Sequence, residues 1–208
     1  MCGESLDTRA RSAGVHDPRI LAALNIVPRS AFLPATAAAA SEKDEALPIG
    51  CCETTSQPSL CARMIEALEL AGTDTVLEIG TGAGYQTALL SRLANTVVTV
   101  EYWPELAETA RRSLAAHGAD NVTVLCADGG AGAPEHAPFD AILVSAAFPT
   151  VPAPLTEQLR EGGRLVQPLG PGGAEEVTLF QRRAGRLVRH SNLMRARFVR
   201  LHGAHGYG

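Results

Sequence analysis

Three glycines, Gly80, Gly82 and Gly84, fall between the β-rich run Thr75-Val-Leu-Glu-Ile79 and a helical stretch over residues 85–93. A side chain at any of them would obstruct a tight strand-to-helix turn and keep a ligand from the backbone. Acids stand at three successive strand tips: Glu78 just before the turn, Glu101 after Thr96-Val-Val-Thr-Val100, and Asp128, followed by Gly129, beyond a strand at 122–125. Glu101 lies 21 residues after Gly80, where a carboxylate can accept both hydroxyls of a ribose. Strand before, helix after and acid at the next tip is the context that a nucleotide-binding turn requires. The spacing is Gly-x-Gly-x-Gly rather than Gly-x-Gly-x-x-Gly. With Glu78 and Asp128, it favours S-adenosylmethionine over a dinucleotide. Glu78 is suited to neighbour the methionine ammonium, and Asp128 to accept from the adenine amino group. The competing reading is a tight turn with no ligand.

The elements that position these residues alternate. Residues 5–35 read as helical and then broken by Pro28 and Pro34, followed by a small-residue stretch and the acidic Ser41-Glu-Lys-Asp-Glu45. Leu47-Pro-Ile-Gly50 opens a loop through Pro58, and residues 60–70 have helical spacing with Ser59 as N-cap. Strands at 75–79, 96–100, 122–125 and 139–144 alternate with helices at 85–93, 104–117 and 154–160; a fifth strand starts at 164–166, and 177–181 and 197–201 close the set. Such βαβ units give an α/β fold: a Rossmann-like, largely parallel sheet with helices on both faces. The expected division is an N-terminal helical segment and loop over residues 1–58, for which the family resemblance given below implies the roles of cover and substrate loop, and a Rossmann-like S-adenosylmethionine-binding domain over 59–208, forming one compact unit.

Of the 208 residues, 46 % are hydrophobic and 19 % charged, which suits a packed core and not a disordered chain. Aromatics make up only 4 %, which disfavours stacking platforms for single-stranded nucleic acid. Net charge is −4, although residues 182–200 hold seven Arg and no acid; this reads as a solvated strand face or a phosphate-binding stretch. The five Cys match no zinc spacing, the six His form no constellation, and no metal is expected. Met1 to Ala10 is polar, no apolar run has the ~18 residues of a membrane span, and reduced thiols suit a cytoplasmic setting.

Beyond these features the chain resembles the protein-L-isoaspartate O-methyltransferase family, class I S-adenosylmethionine-dependent enzymes. The carrying segments include Val27-Pro-Arg-Ser-Ala-Phe-Leu-Pro34, Leu47-Pro-Ile-Gly50, Thr54-Thr-Ser-Gln-Pro58, Val76-Leu-Glu-Ile-Gly-Thr-Gly-Ala-Gly-Tyr85, Asp128-Gly129, Gly162-Gly-Arg-Leu-Val166 and Phe198-Val-Arg-Leu-His-Gly203. The resemblance implies methylation of the free carboxylate of isoaspartyl residues, with Thr55 and Ser56 beside that carboxylate and the transferable methyl. Such chemistry needs no general base, because a carboxylate with a pKa near about 4 is ionised at neutral pH. Alignment and exclusion of water suffice, and a hydroxyl such as that of Ser56 can orient the oxygen.

The loop departs from the family's Gly-Gln-Thr-Ile-Ser, reading Cys52-Glu53-Thr54-Thr55-Ser56. A carboxylate at Glu53 would repel an anionic substrate and suit a cationic one. It can also serve as general base toward a hydroxyl or amine, or simply face solvent or pair with an Arg. The expected partners are therefore protein, peptide or small-molecule methyl acceptors, and neither nucleic acid nor membrane. A specialised biosynthetic methyltransferase and a non-catalytic cofactor-binding adaptor are the alternatives. Val144-Ser-Ala-Ala-Phe148 lacks the acidic-Pro-Pro-aromatic turn of enzymes that methylate base amino groups.

Overall fold

The computed structural model describes residues 4–170 and 173–207, so Cys2 lies outside the described residues. Two short helices, α1 (Leu6–Ser12) and α2 (Pro18–Ile26), precede single-turn elements and an antiparallel hairpin of β1 (Leu47–Gly50) and β2 (Glu53–Thr55). Helix α3 (Pro58–Ala67) leads into the alternating region: β3 (Thr75–Ile79), α4 (Tyr85–Ser91), β4 (Thr96–Glu101), α5 (Pro104–Ala116), β5 (Val122–Cys126), β6 (Phe139–Val144) and α6 (Ala153–Gln158). Strands β7 (Leu159–Leu169), β8 (Glu175–Arg183) and β9 (Arg186–Ala196) complete a seven-stranded sheet of order β5-β4-β3-β6-β7-β8-β9. Pairings from β5 to β7 are parallel, and the last two are antiparallel. This is the Rossmann-like, largely parallel sheet expected from the sequence, with an antiparallel pair added at one end.

Strands β3, β4 and β6 are buried on both faces, which is why they read as apolar runs. Val76 packs with α1, α2, α3 and α4, whereas Leu77 and Ile79 face the other layer with Val98, Ile142 and Leu155. The N-terminal helices share the first of these cores through Ile20, Leu21 and Leu24. Glu66 of α3 ties them down by accepting from the N–H groups of His16 (2.6 Å) and Asp17 (2.7 Å). Because β4 and β6 flank β3 on opposite sides, the chain reverses direction at the β3 tip, the crevice where open α/β sheets bind ligands.

Three local expectations change. Residues 47–55 form a hairpin and not a loop; its turn holds Cys51 and Cys52 at φ +50° and +60°. Ser59 lies inside α3 and does not cap it; Asp44 from the acidic segment accepts from the Ser59 N–H and the Gln57 amide, both at 2.8 Å. The closing strand is β9, not 197–201, which runs beside the β6 tip with only an isolated Ala147–Arg200 bridge. The four described cysteines are unpaired, and no described helix is long and apolar enough to cross a membrane.

Candidate active site

One cleft opens at the carboxyl ends of β3, β4 and β6. It is lined by the turn after β3, by Glu101 to Trp103, by Ser145 and Ala146, by the β1–β2 hairpin, and by residues 199–202. Gly80, Gly82 and Gly129 line it as expected. Gly82 sits at φ +55°, and a Cβ there would meet Ile49 Cδ1 at 3.0 Å. At Gly129 a Cβ would come within 2.5 Å of Ile79 Cγ2, so only glycine lets the backbone approach. Gly84 is absent from the lining; it begins α4 at φ +94° and makes room for Leu114 of α5.

Glu101 ties the cleft together. Its Oε2 accepts from Gly82 N–H at 2.7 Å and its Oε1 from Trp103 N–H at 3.0 Å. Burial raises its pKa against these two bonds, and the nearby Glu53 charge raises it further.

Glu78 is placed differently from the expectation. It shares a strand face with Val76, beneath α4, and is fully buried. It accepts from Thr87 Oγ1 (2.5 Å), Thr99 Oγ1 (2.7 Å) and Gln86 Nε2 (3.0 Å) and does not line the cleft. Its reach into the site is indirect: the same Gln86 amide donates to Ser145 Oγ at 2.7 Å, and both of those residues line the cleft.

Burial pushes the Glu78 carboxyl up to about 7 from an ordinary 4.5, against three hydrogen bonds that favour the anion. Between those values the folded state holds a proton that the unfolded chain has released. The contribution to stability is therefore fullest below pH 4.5, falls as pH rises, and levels off above about 7. The fall amounts to about 3 kcal/mol at 1.36 kcal/mol per unit. Urea unfolding across this range should show the decline in the wild type and a flatter profile in Glu78→Gln. Equal profiles would contradict it.

Asp128 also departs from expectation. Its carboxylate accepts from Gly130 N–H (2.8 Å) and Ala204 N–H (2.7 Å), facing residues 203–205 and not the cleft. A Cβ at Gly203 would strike that carboxylate. Asp128 therefore holds the segment that carries His202. That segment is further fixed by Tyr207, which packs on Phe148 and donates to Gly170 O at 3.0 Å.

Thr55 and Ser56 line the cleft, and Ser56 also lines a second groove formed with Gln57, Leu60 and residues 195–199. The two cavities share Thr54, Ser56, Ser145 and Val199. Arg29 fixes this loop from below. It is 1 % exposed and donates to the carbonyls of Lys43 (2.8 Å), Glu45 (2.8 Å), Ser56 (3.2 Å) and Ser41 (3.4 Å). Burial lowers its pKa.

Glu53 neither faces solvent nor pairs with an arginine. Its side chain is 12 % exposed; Oε1 accepts from Trp103 Nε1 at 3.1 Å and lies 3.4 Å from His202 Nε2. No hydrogen bond joins it to Thr55 or Ser56 among the described residues. His202 stacks on Tyr102 with centroids 5.5 Å apart and meets Trp103 edge-on at 5.6 Å. Sequence reasoning missed Tyr102, Trp103, Ser145 and His202. Ser145 had a signal, as the residue beyond the fourth strand tip; His202 had none, because only the fold brings it to Glu53.

The protein-L-isoaspartate(D-aspartate) O-methyltransferase family matches residues 4–206. The chain belongs to this family. It is 50 % identical over 194 residues to a protein-L-isoaspartate O-methyltransferase of Roseiflexus castenholzii, covering 93 % of this chain and 88 % of that one. With protein-L-isoaspartate O-methyltransferase 1 of Syntrophobacter fumaroxidans it shares 45 % over 202 residues, 97 % of this chain and 94 % of the relative. A solved protein-L-isoaspartate O-methyltransferase superposes with TM-score 0.85 at 33 % identity, covering 96 % of this chain and 65 % of that longer chain. A putative enzyme of the same name from Plasmodium falciparum, solved in complex with S-adenosyl-L-homocysteine, matches the fold at TM-score 0.80 and 20 % identity, covering 95 % of this chain and 96 % of that one.

Proposed function

We propose that this protein uses S-adenosylmethionine to methylate the free carboxylate of isoaspartyl residues in proteins and peptides, the activity for which its relatives are named. One observation carries the reading: Ser56 stands on a wall common to the cofactor cleft and the second groove. An acceptor lying in that groove meets the cleft at the Ser56 and Ser145 hydroxyls.

The residues present fit the cofactor. The glycines leave backbone open for close approach, and a buried Glu53 oxygen lacks a donor. Bound there, the cofactor supplies an electrophilic methyl carried on a sulfonium. Gly80, Gly82, Gly129 and Glu101 hold its adenosyl part. Glu78 acts through Gln86, and Asp128 by fixing the segment over the cleft. Ser56, with Thr55 beside it, donates to the acceptor carboxylate and orients it. Residues 1–58 serve as cover and substrate loop for the domain over 59–208. The unpaired thiols support a cytoplasmic setting.

A biosynthetic enzyme for a different acceptor gains no support, because Glu53 Oε1 is engaged by Trp103 and His202 and Glu53 makes no hydrogen bond to Thr55 or Ser56 among the described residues. Methyl transfer to an isoaspartyl peptide, with the aspartyl isomer as control, is the test. Turnover of the first and not the second is expected; saturating cofactor with no turnover of either would end the proposal.

A further inference from the structure

Charge is spread unevenly along this chain. All 22 acids lie at or before Glu176, whereas seven Arg follow between residues 182 and 200. The fold gathers that stretch at one place. Strand β9 forms one end of the seven-stranded sheet, and the segment after it runs on to the groove that shares Ser56 with the cleft. A molecule with a net charge of −4 thus turns a positive end toward the proposed acceptor groove. Charge that merely keeps a sheet edge in water could be of either sign.

The groove carries the same sign. Among the described residues that line it, Arg195 and Arg197 are the only charged ones. Arg195 is exposed and shares Glu176 with Arg189, at 3.8 and 3.6 Å, so one acid serves two cations. Arg197 is also exposed; its Nε donates to Gly173 O at 3.2 Å, and its terminal nitrogens have no partner among the described residues. The backbone beside Arg197 is fixed. The fully buried Glu175 accepts from Phe198 N–H at 2.9 Å, and Ala147 N–H donates to Val199 O at 2.7 Å. Both cations are therefore mounted on an anchored segment that ends at the wall common to groove and cleft.

We propose that this groove selects acceptors by charge, favouring isoaspartyl residues flanked by further acidic residues whose carboxylates meet Arg195 and Arg197. The methyl-accepting carboxylate stands at Ser56 while the flanking chain lies along residues 195–199. Arg195 and Arg197 are specificity residues and take no part in the transfer itself. The proposal rests on the isoaspartyl methyl-transfer reading and adds to it a preference among acceptors.

The test compares initial rates on three isoaspartyl peptides that differ only in their flanking residues, which are Glu, Gln or Lys. Exposed ion pairs are individually weak, so two of them predict kcat/KM about 10-fold higher with Glu than with Lys flanks at low salt, the difference lying in KM. Raising the ionic strength to about 0.5 M should shrink the ratio to within about twofold. The double variant Arg195→Gln with Arg197→Gln should lose the preference at low salt. Arg111→Gln with Arg112→Gln removes the same charge from α5, which packs on β4 and β5 at the other end of the sheet, and should keep it. The salt dependence needs no variant and decides the question even where the double variant does not fold. Equal rates on all three peptides in the wild type, or a preference that survives in the groove variant, would overturn the proposal. Competition by single-stranded DNA alongside equal rates would give the basic end to nucleic acid instead. A wild type that turns over none of the peptides at saturating cofactor would remove the methyl-transfer reading itself.

Discussion

Arg29→Leu is expected to lower the free energy of unfolding by about 3–5 kcal/mol, the cost of leaving two or more buried carbonyls without their donor at about 1–3 kcal/mol each. The guanidinium is 1 % exposed and bridges carbonyls of Ser41, Lys43, Glu45 and Ser56. Leucine would recover some desolvation cost, since burial already disfavours the charged arginine. Up to four carbonyls would lose a donor, at about 1–3 kcal/mol for each left buried, and that term decides the sign. Lysine should rescue poorly, because one ammonium cannot reproduce the planar fork that spans two backbone segments, 41–45 and Ser56. Urea denaturation measures the change; a loss below about 1 kcal/mol would mean that water takes over the carbonyls. The fall in methyl-transfer rate should exceed what the unfolded fraction explains, because Ser56 loses its tether.

The second large effect is on ligand affinity. Glu101→Ala should raise the dissociation constant for S-adenosylhomocysteine by about 100-fold or more. Two hydrogen bonds to a charged acceptor are worth about 1.5–3 kcal/mol each, and each 1.4 kcal/mol is a factor of about ten. The variant loses both contacts that set the cleft, to Gly82 and to Trp103, along with the acceptor for ribose. Glu101→Gln should do little better: an amide turns one oxygen into an N–H donor, which then faces a backbone N–H. Calorimetry below the melting range separates affinity from folding. Binding within threefold of wild type would show that Glu101 contributes neither order nor contact.

The parts of this molecule that sequence described well are those where a single pattern dictates a single outcome. Strands β3 and β6 fall at the expected residues, 75–79 and 139–144, because burial on both faces leaves an unbroken apolar run. The glycine turn was equally legible, since its neighbours left few other uses for it. Strand β9 was missed because it is a sheet edge, with Arg186, Arg189 and Arg195 exposed along it. The more apolar Phe198-Val-Arg-Leu201 looked like the strand and instead supplies cleft lining. The hairpin escaped notice because Cys51 and Cys52, not Asn-Gly, adopt its left-handed turn. Glu78 and Asp128 were found but given the wrong neighbours: position at a strand tip does not say which side of the strand a side chain takes. The Glu53–His202 pairing could not be read at all, because those residues meet only after the chain has closed on itself.

The cleft is assembled from stretches within 49–56, 79–86, 100–106, 145–146 and 199–202 together with Gly129, so no continuous stretch of chain owns it. Loosening the hairpin or the 199–202 segment dissolves the binding surface as surely as melting the central strands. By mass action, ligand occupancy opposes every one of these openings at once. A cofactor present at a hundred times its dissociation constant adds about 2.7 kcal/mol against each. Pieces far apart in the chain thus gain persistence from a shared guest, and the site's occupancy becomes a measure of how much of the molecule is closed.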